Sequence, residues 1–161
     1  MMVFNNLINM VNKWIFVVID HKTNDKIIKA IDVLRNRIKE KFWSLNRNTK
    51  NFNRIKKDDE VIFYVGGSDG QKFVGRCTLD SDPYPMTSEQ KKQIIGYPST
   101  LFTHAVNLKD SELWEEPLLV TDLKEELTFI KNKDLWQKYF RGSIILLSEE
   151  DYKTILSEAK R

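Results

Sequence analysis

Apolar positions along the first half of the chain follow two different spacings. The continuous runs Trp14–Ile19 and Val61–Val65 are rich in β-branched and aromatic residues, and they predict buried strands. Between these runs, apolar residues recur at helical spacing and predict an amphipathic helix that Thr23 or Asn24 caps. The recurring positions are Ile27, Ile31, Leu34 and Ile38. The chain therefore begins with a predicted strand, a helix, a polar loop at Leu45–Lys57 and a second strand.

The rest of the chain predicts short strands joined by turns. Gly66–Gly70 predicts a hairpin turn, because glycines at both ends supply the positive φ that such turns need. The return strand Gln71–Leu79 alternates, with Phe73, Cys77 and Leu79 expected on one face and Lys72, Val74, Arg76 and Thr78 on the other. Asp80–Ser99 is predicted to be a long irregular connection. The remaining predictions are a strand at Leu101–Leu108, a mixed segment at Leu118–Leu127, a short helix near Asp134–Tyr139, an apolar strand at Ile144–Leu147 and a closing helix that Ser148 caps.

These elements predict one domain of the α+β class, a small mixed β-barrel flanked by helices. A chain of 161 residues, 41% of them hydrophobic, suffices for one core, and this composition excludes a disordered chain. We expect residues 1–12 to form an N-terminal extension and residues 13–161 to form the domain. No apolar run approaches the ~20 residues that a membrane span needs. The single cysteine, Cys77, favours a reducing, cytoplasmic location.

Positive charge is concentrated in one part of the sequence. The whole chain carries a net charge of +3, which indicates no particular partner. The segment Lys29–Lys57, however, has ten basic residues against two acidic ones, a local charge of +8. It also contains Trp43 and Phe52. This combination favours a surface that follows the phosphates of a nucleic acid, and the alternative is an ordinary solvated surface.

The residues that common catalytic and metal sites require are missing from the sequence. It contains no phosphate-binding loop, no dinucleotide fingerprint and no zinc motif. The two histidines, His21 and His104, lie in different segments, and no nucleophile stands out. The acidic run Asp58–Glu60 is typical of a solvated turn. We therefore expect a protein that is not an enzyme and that needs no cofactor or metal.

Several segments resemble, in their order and spacing, the EVE and YTH families of the PUA-like superfamily. The N-terminal segments are the strand Trp14–Ile19, the basic helix, Phe42-Trp43-Ser44, the Asn-rich loop, Lys56–Val65 and Lys72–Gly75. The C-terminal segments are Phe129–Trp136, Phe140–Gly142 and Leu147–Tyr152, which look like the C-terminal signature of archaeal EVE-domain proteins. The resemblance runs from about Lys13 to about Leu156. It implies a PUA-like barrel whose pocket binds a modified nucleobase turned out of RNA or DNA.

The resemblance also implies site residues. The positions that match the pocket are Asp20, His21, Asp25, Trp43, Ser44, Leu45 and Tyr97. Trp43 matches the first aromatic wall, on which a base would stack. Asp25 matches a contact to the base edge, and as the first residue of the predicted helix it also suits the helix dipole. The family usually has another Trp in the long loop, where this chain has Tyr84 and Tyr97, and Tyr97 is the expected second wall.

Loop cations around this pocket are expected to hold the nucleic-acid backbone. The candidates for phosphate contacts are Arg47, Lys50, Arg54 and Lys131. Together with the pocket, they predict a non-catalytic module that recognises a modified base in RNA or DNA, and methylation is the expected modification. A restriction system or an RNA-processing system is the kind of partner that this function implies.

Three alternatives remain open on the sequence. In the first alternative, the chain is the N-terminal target-recognition domain of an McrB-type, modification-dependent restriction system. The N-terminal domains of such systems can share the fold that the resemblance implies. The PUA-like superfamily also includes ASCH-type amidohydrolases that act on modified cytidine with a Lys/Thr/Glu set. Lys22 and Thr23 lie on the appropriate loop, whereas Val61–Val65 offers no Glu. The third alternative is an RNA-binding module with no preference for modified bases.

Overall fold

The computed structural model describes residues 11–22, 25–68, 70–95 and 101–159, which form a curled mixed sheet flanked by helices. The strands are β1 (Lys13–Val18), β2 (His21–Lys22), β3 (Ile27–Ile28), β4 (Phe42–Leu45), β5 (Glu60–Val65), β6 (Lys72–Leu79), β7 (Tyr84–Pro85), β8 (His104–Leu119) and β9 (Ile144–Leu147). The α-helices are α1 (Ala30–Glu40), α2 (Ser88–Gln93), α3 (Val120–Leu123) and α4 (Glu149–Glu158). Three 3₁₀ segments, Phe52–Arg54, Lys124–Glu126 and Lys133–Phe140, complete the described elements.

One sheet of seven strands organises the domain. Its order is β4-β8-β6-β5-β1-β9, and β7 adds to β8. The central strands β1 and β5 run parallel, and the other neighbours are antiparallel. A separate two-stranded ribbon joins β2 to β3. The α+β class and the curled, helix-flanked sheet agree with the PUA-like prediction.

The two central strands are buried on both faces, as their continuous apolar runs predict. Phe16 of β1 and Phe63 of β5 point into the cluster inside the curl of the sheet, which α1 covers. Their neighbours Ile15 and Ile62 belong to a second cluster on the outer face. The C-terminal segments that follow β8 cover this outer face. The curl therefore separates an inner core under α1 from an outer core under the C-terminal part of the chain.

The closing helix is anchored through one buried carboxylate. Ser148 caps α4, as the sequence predicts, because its hydroxyl accepts a hydrogen bond from the backbone N–H of Asp151. The fully buried carboxylate of Asp151 accepts hydrogen bonds from the N–H and hydroxyl of Thr128 and from the N–H of Phe129. These bonds fix α4 to the turn before the last 3₁₀ segment. The segment before β9 is held to the sheet by a separate bond, in which the carbonyl oxygen of Ser143 accepts from the N–H of Val17 at 3.0 Å.

The first helix begins later than the sequence pattern predicts. Lys29 is its N-cap, so a cap at Thr23 or Asn24, which lie outside the described residues, is wrong. Ile27 pairs in the ribbon of β2 and β3 and is 57% exposed. The buried face of α1 consists of Ala30, Val33, Leu34 and Arg37. Of the predicted stripe, Leu34 is fully buried and Ile31 and Ile38 are partly buried against the inner cluster, whereas Ile27 stays in the extended ribbon before the helix.

Strand β6 does not alternate as predicted. Phe73 packs in the outer cluster, whereas Val74 joins Cys77 and Leu79 in the inner one. The register against β5 and β8 shifts next to Gly75, which marks a β-bulge that changes the face of the following side chains. At Gly75 a Cβ atom would lie 2.1 Å from the carbonyl oxygen of Glu112. Glycine is required there because the two backbones approach so closely.

The predicted boundaries in the second half also change. The predicted strand Leu101–Leu108 is part of a longer strand, β8. This strand of 16 residues begins at His104, continues to Leu119 and bends across both clusters. Pairing with β4, β6 and β7 along its length makes this long strand possible. The connection Asp80–Ser99 contains β7 and α2 among its described residues. No helix of the described residues is long and apolar enough to span a membrane.

Candidate functional site

A cavity with a volume of about 460 Å³ opens where one end of the curled sheet meets α1 and the C-terminal segment. Its lining residues come from the end of β1, the buried face of α1, β4, and the two segments that precede β8 and β9. They are Val17, Val18, Ile19, Val33, Arg37, Trp43, Ser44, Leu101, Phe102, Phe140, Arg141, Gly142 and Ser143. We call this cavity the Trp43 pocket. Its volume lies within the about 300–1,000 Å³ that small-molecule sites occupy.

Trp43 forms a rigid wall of this pocket. Strand β4 pairs with β8, which directs the indole inward, and the side chain is only 7% exposed. The indole stacks on Phe63, with ring centroids 5.5 Å apart and an interplanar angle of 21°, and it leans against Phe16 at 5.3 Å. The part of the indole that these rings leave uncovered borders the pocket. Trp43 is therefore a core residue in a fixed position that also borders the pocket.

A buried arginine lies beside this wall. Arg37 is 2% exposed, and its Nε donates a hydrogen bond to Oγ of Ser44 over 3.2 Å. Its guanidinium nitrogens also donate to the side chain of Asn36 and to the carbonyl oxygen of Ile95. The bond to Ser44 occupies a lone pair of the hydroxyl oxygen, so the hydroxyl hydrogen remains available to a group in the pocket. A buried cation thus orients a neutral donor at the pocket wall.

Phe102 provides a second aromatic side chain in the pocket. It is half-buried, and it packs against the small cluster formed by Phe42, Met86, Ile94 and Ala105. The guanidinium of Arg37 lies 6.0 Å from the centre of its ring. Three aromatic residues therefore border one cavity: Trp43 on β4, Phe102 in the segment that precedes β8 and Phe140 in the segment that precedes β9.

A second cavity adjoins the first and is strongly cationic. It has a volume of about 560 Å³ and shares Arg141, Gly142 and Ser143 with the Trp43 pocket. Lys50 and Arg54, two of the predicted phosphate contacts, also line it. We call it the cationic cavity. Arg54 packs over the ring of Trp14 at 5.9 Å, which holds its guanidinium near the cavity.

Asp20 ties together the backbone next to the pocket. Its carboxylate accepts hydrogen bonds from the N–H of Ala30 at 2.9 Å and from the N–H of Ser68 at 3.0 Å. Gly67, at a φ of +90°, lets the turn approach so closely that a Cβ there would lie 2.6 Å from Cγ of Asp20. The bonds from Ala30 and then from Ser68 lower the pKa of Asp20 below its ordinary value. Asp20 thus joins the start of α1 to the β5–β6 hairpin.

Asparagine at position 20 is expected to lower the free energy of unfolding by about 0.5–2 kcal/mol at pH 7, because an amide accepts from only one of the two N–H groups. A lowered folded-state pKa stabilises the fold above the unfolded-state pKa of about 3.9, and this stabilisation is lost as the pH falls through the folded-state pKa. The difference between wild type and Asp20→Asn should therefore shrink in acid. Urea unfolding at pH 7 and pH 3 measures it, and a difference that does not depend on pH would contradict this role.

The other predicted site residues occupy different places. Ser44 lines the Trp43 pocket, whereas Leu45 is buried in the inner cluster and supports the wall from behind. His21 pairs with Ile28 in the ribbon, and Asp25 is exposed, before the start of α1 rather than in its first turn. Among the described residues that line the two cavities, His21, Asp20 and Asp25 do not occur. Their contacts to a base stay predictions.

Three further predicted residues are placed as follows. Tyr97, the expected second wall, lies outside the described residues. Arg47 is exposed, and its backbone N–H donates to Oγ1 of Thr103 at 2.9 Å. Lys131 is exposed and is not among the described residues that line either cavity. Roles of these side chains in binding a nucleic acid remain predictions.

Sequence reasoning missed Arg37, Phe102 and Arg141 as site residues. Arg37 carried a usable signal, because it follows Ala30, Val33 and Leu34 at the spacing of a buried helical face. Phe140-Arg141-Gly142 belonged to the segments that resemble the EVE family, although no role followed from that resemblance. For Phe102 the sequence offers no signal, since only the folded chain brings it beside β4.

Side chains that could act as nucleophiles or metal ligands do not form a site of their own among the described residues. The described residues contain no group of three His, Cys, Asp or Glu side chains that could hold a metal. Cys77 is fully buried in the inner cluster, and burial raises the pKa of its thiol well above the ordinary value. On the outer face, Glu60 bonds to Arg76 at 2.9 Å and Thr78 donates to the same carboxylate. These groups support the fold.

The curled mixed sheet, with helices on its faces and a pocket at one end, is a PUA-like domain of the α+β class. Within this class, the chain belongs to the EVE domain family, whose model matches residues 12–158. Among curated proteins, no sequence matches the chain.

Solved structures share this fold. Human THYN1, solved in complex with 5-methylcytosine-containing DNA, superposes with a TM-score of 0.64 and 18% identity, covering 93% of this chain and 99% of that one. The N-terminal domain of Staphylothermus marinus McrB superposes with a TM-score of 0.57 and 12% identity, covering 92% of this chain and 94% of that one. Rpa0253 from Rhodopseudomonas palustris superposes with a TM-score of 0.56 and 15% identity, covering 91% of this chain and 92% of that one. At these identities the likeness is one of fold.

Proposed function

We propose that this EVE domain binds DNA that carries a modified base, and that the base turns out of its strand into the Trp43 pocket. The observation that carries the proposal is the joining of two cavities, one walled by aromatic and aliphatic side chains and one lined by cations. The fold shared with human THYN1, which was solved with 5-methylcytosine-containing DNA, supports the choice of ligand.

The pocket walls suit a flat, methylated ring. Trp43 and Phe102 supply aromatic surfaces for stacking, and each such stack contributes about 1–3 kcal/mol. The aliphatic side chains of Val17, Val18 and Val33 form another part of the wall, against which a methyl group loses contact with water. Burial of one methyl-sized group is worth about 0.8 kcal/mol, which corresponds to about fourfold in affinity. A methylated base is therefore favoured over its unmodified form.

Ser44 gives the pocket a polar contact to the base edge. Its hydroxyl oxygen already accepts from Nε of Arg37, so we propose that the hydroxyl donates to a ring nitrogen or carbonyl oxygen of the bound base. Cytosine carries both kinds of acceptor on its pairing edge, and this edge becomes accessible only when the base leaves the duplex. Arg37 acts here by holding Ser44 in place.

The cationic cavity is positioned to hold the strand from which the base comes. Lys50, Arg54 and Arg141 line it, and Arg141 also borders the Trp43 pocket. A strand that passes along these side chains can place one base in the pocket while its phosphates meet the cations. The predicted contacts Arg47 and Lys131 would extend this track. A target-recognition role of the McrB type would use the same arrangement.

Competition binding tests the proposed function. DNA oligonucleotides that contain one 5-methylcytosine should compete at least about fourfold better than the same sequence with cytosine. Matched RNA oligonucleotides and oligonucleotides with other modified bases complete the panel. Equal affinity for every methylated and unmethylated oligonucleotide, with the same salt dependence, would contradict the proposal and favour general nucleic-acid binding.

A further inference from the structure

Two aliphatic side chains stand at the mouth of the Trp43 pocket. Ile19 is 52% exposed and Leu101 is 45% exposed, although both line the cavity. Other apolar side chains of the same lining are buried, as Val33 and Trp43 show with 2% and 7% exposure. Lining residues with half of their surface in solvent mark the opening of a cavity. Ile19 and Leu101 thus form an apolar part of the rim, which also contains the exposed residues Arg141, Gly142 and Ser143.

The backbone on both sides of Ile19 is fixed. On one side, the carbonyl oxygen of Val18 accepts a hydrogen bond from the N–H of Gly66 at 2.9 Å. On the other side, the carboxylate of Asp20 binds the backbone of α1 and of the hairpin. Gly66 also lies beneath the side chain, since a Cβ built on it would be 3.4 Å from Cγ2 of Ile19. Ile19 is therefore presented to solvent from a rigid support.

Leu101 has a comparable anchor. Its carbonyl oxygen accepts a hydrogen bond from the side-chain amide of Asn46 at 2.8 Å. Two residues further, the N–H of Thr103 donates to the carbonyl oxygen of Leu45 at 3.0 Å. These bonds tie the segment to the end of β4, next to Trp43. The two exposed aliphatic residues therefore keep defined positions relative to the pocket wall.

Turning a base out of a duplex leaves a gap in the base stack. Proteins that distort DNA commonly insert an apolar side chain such as Leu, Ile or Phe between base steps. The insertion offsets the lost stacking only if the side chain lies beside the pocket and does not have to be ordered first. Ile19 meets both conditions. A single strand has no continuous stack to fill, so the requirement is specific to duplex DNA.

We infer that Ile19, supported by Leu101, enters the base stack of double-stranded DNA at the position that the flipped base leaves. The ligand class is therefore a duplex that carries the modified base. This inference rests on the proposed function, because it assigns the Trp43 pocket to the base. It gives Asp20 a positioning role, since this carboxylate fixes the backbone that presents Ile19.

The test compares a duplex with a single strand of the same sequence, each with one 5-methylcytosine. Ile19→Ser should weaken binding to the duplex by about tenfold or more, because it leaves the gap unfilled. Leu101→Ser should weaken it by a smaller factor, because it removes only the support of Ile19. Because Ile19 also lines the pocket, Ile19→Ser should weaken binding to the single strand too, but only by about fourfold or less. Ile27→Ser is the matched control, because Ile27 is 57% exposed and is absent from the described lining of both cavities. It should leave both affinities unchanged.

A fluorescent base reports the insertion directly. 2-Aminopurine placed beside the 5-methylcytosine should brighten when wild type unstacks the duplex, and this increase should be smaller with Ile19→Ser. Thermal unfolding of each variant without DNA shows that it is folded. If Ile19→Ser weakens duplex and single strand equally, Ile19 is a pocket wall and the inference is wrong, while the proposed function stands. Unchanged affinity for both ligands also overturns the inference. If the wild type binds methylated and unmethylated DNA equally well, the proposed function itself is wrong.

Discussion

Replacement of Lys50, Arg54 and Arg141 together by alanine is expected to weaken DNA binding about 10²-fold at about 0.15 M salt. These three cations line the cationic cavity, and Arg141 also borders the Trp43 pocket. Each phosphate that a cation neutralises makes the slope of log affinity against log salt concentration more negative by about 0.9. Loss of three contacts should therefore make the slope less negative by about 2.7, and the affinities of wild type and variant should converge near about 1 M salt.

The matched control removes the same charge elsewhere. Lys91, Lys92 and Lys153 are exposed, and they are not among the described residues that line the two cavities. Their combined replacement by alanine should leave most of the slope intact. Titration of both triple variants at several salt concentrations measures the slopes. Equal losses in the two variants would show that net charge, rather than a defined track at the cavity, holds the DNA.

Phe102→Leu is expected to weaken binding of methylated DNA by about 5–150-fold, the equivalent of one base–aromatic stack of about 1–3 kcal/mol. Leucine keeps apolar volume against the cluster of Phe42 and Met86, so the fold should be retained, but it lacks a flat surface. The preference for 5-methylcytosine over cytosine should fall with the affinity. Binding of both oligonucleotides to the variant measures the two effects.

Phe129→Leu is the control for this change. Phe129 is also half-buried, but it packs on the outer face against Tyr139 and Phe140. It is absent from the described lining of both cavities, although Phe140 and Tyr139 line one each, so its replacement should weaken DNA binding far less than Phe102→Leu does. Should Phe102→Leu bind as wild type does, Phe102 is no wall of the base site, and the expected second wall returns to Tyr97.

The central strands were predictable because a continuous local run of apolar residues determines their burial. Val61–Val65 is apolar throughout, and the structure buries Phe63 on the inner face and Ile62 on the outer face. The bulge in β6 could not be predicted in the same way. Gly75 interrupts the alternation, but only the carbonyl group of Glu112, which comes from a distant strand, shows why glycine is needed there.

The site was partly predictable for a related reason. Trp43 and Ser44 were found through their resemblance to the EVE and YTH families, and both line the pocket. Arg37 looked like part of a solvated basic face. Its burial depends on hydrogen bonds to Ser44 and to the carbonyl oxygen of Ile95, and the second partner is distant in sequence. A single sequence cannot show that such partners exist for a buried cation.

The sequence predicts four phosphate contacts, and the structure brings only two of them together in one cavity. Of the four expected phosphate contacts, Lys50 and Arg54 line one cavity together, whereas Arg47 and Lys131 lie elsewhere. Arg141 joins the first pair because the hydrogen bond from Val17 to the carbonyl oxygen of Ser143 holds the segment that precedes β9 beside the sheet. The basic segment Lys29–Lys57 thus supplies two of the cations of this cavity, and tertiary packing adds the third.

The most direct test of the central claim is the indole N–H signal of Trp43 in an NMR titration with a short 5-methylcytosine oligonucleotide. The chain has four tryptophans, and the indoles of Trp14 and Trp114 already donate to Asp59 and Glu112. Trp43→Phe assigns the signal. If the base binds in the Trp43 pocket, the Trp43 signal moves most and reaches saturation together with binding. Saturated binding with an unmoved Trp43 signal, or with the largest change at Trp114, would contradict it.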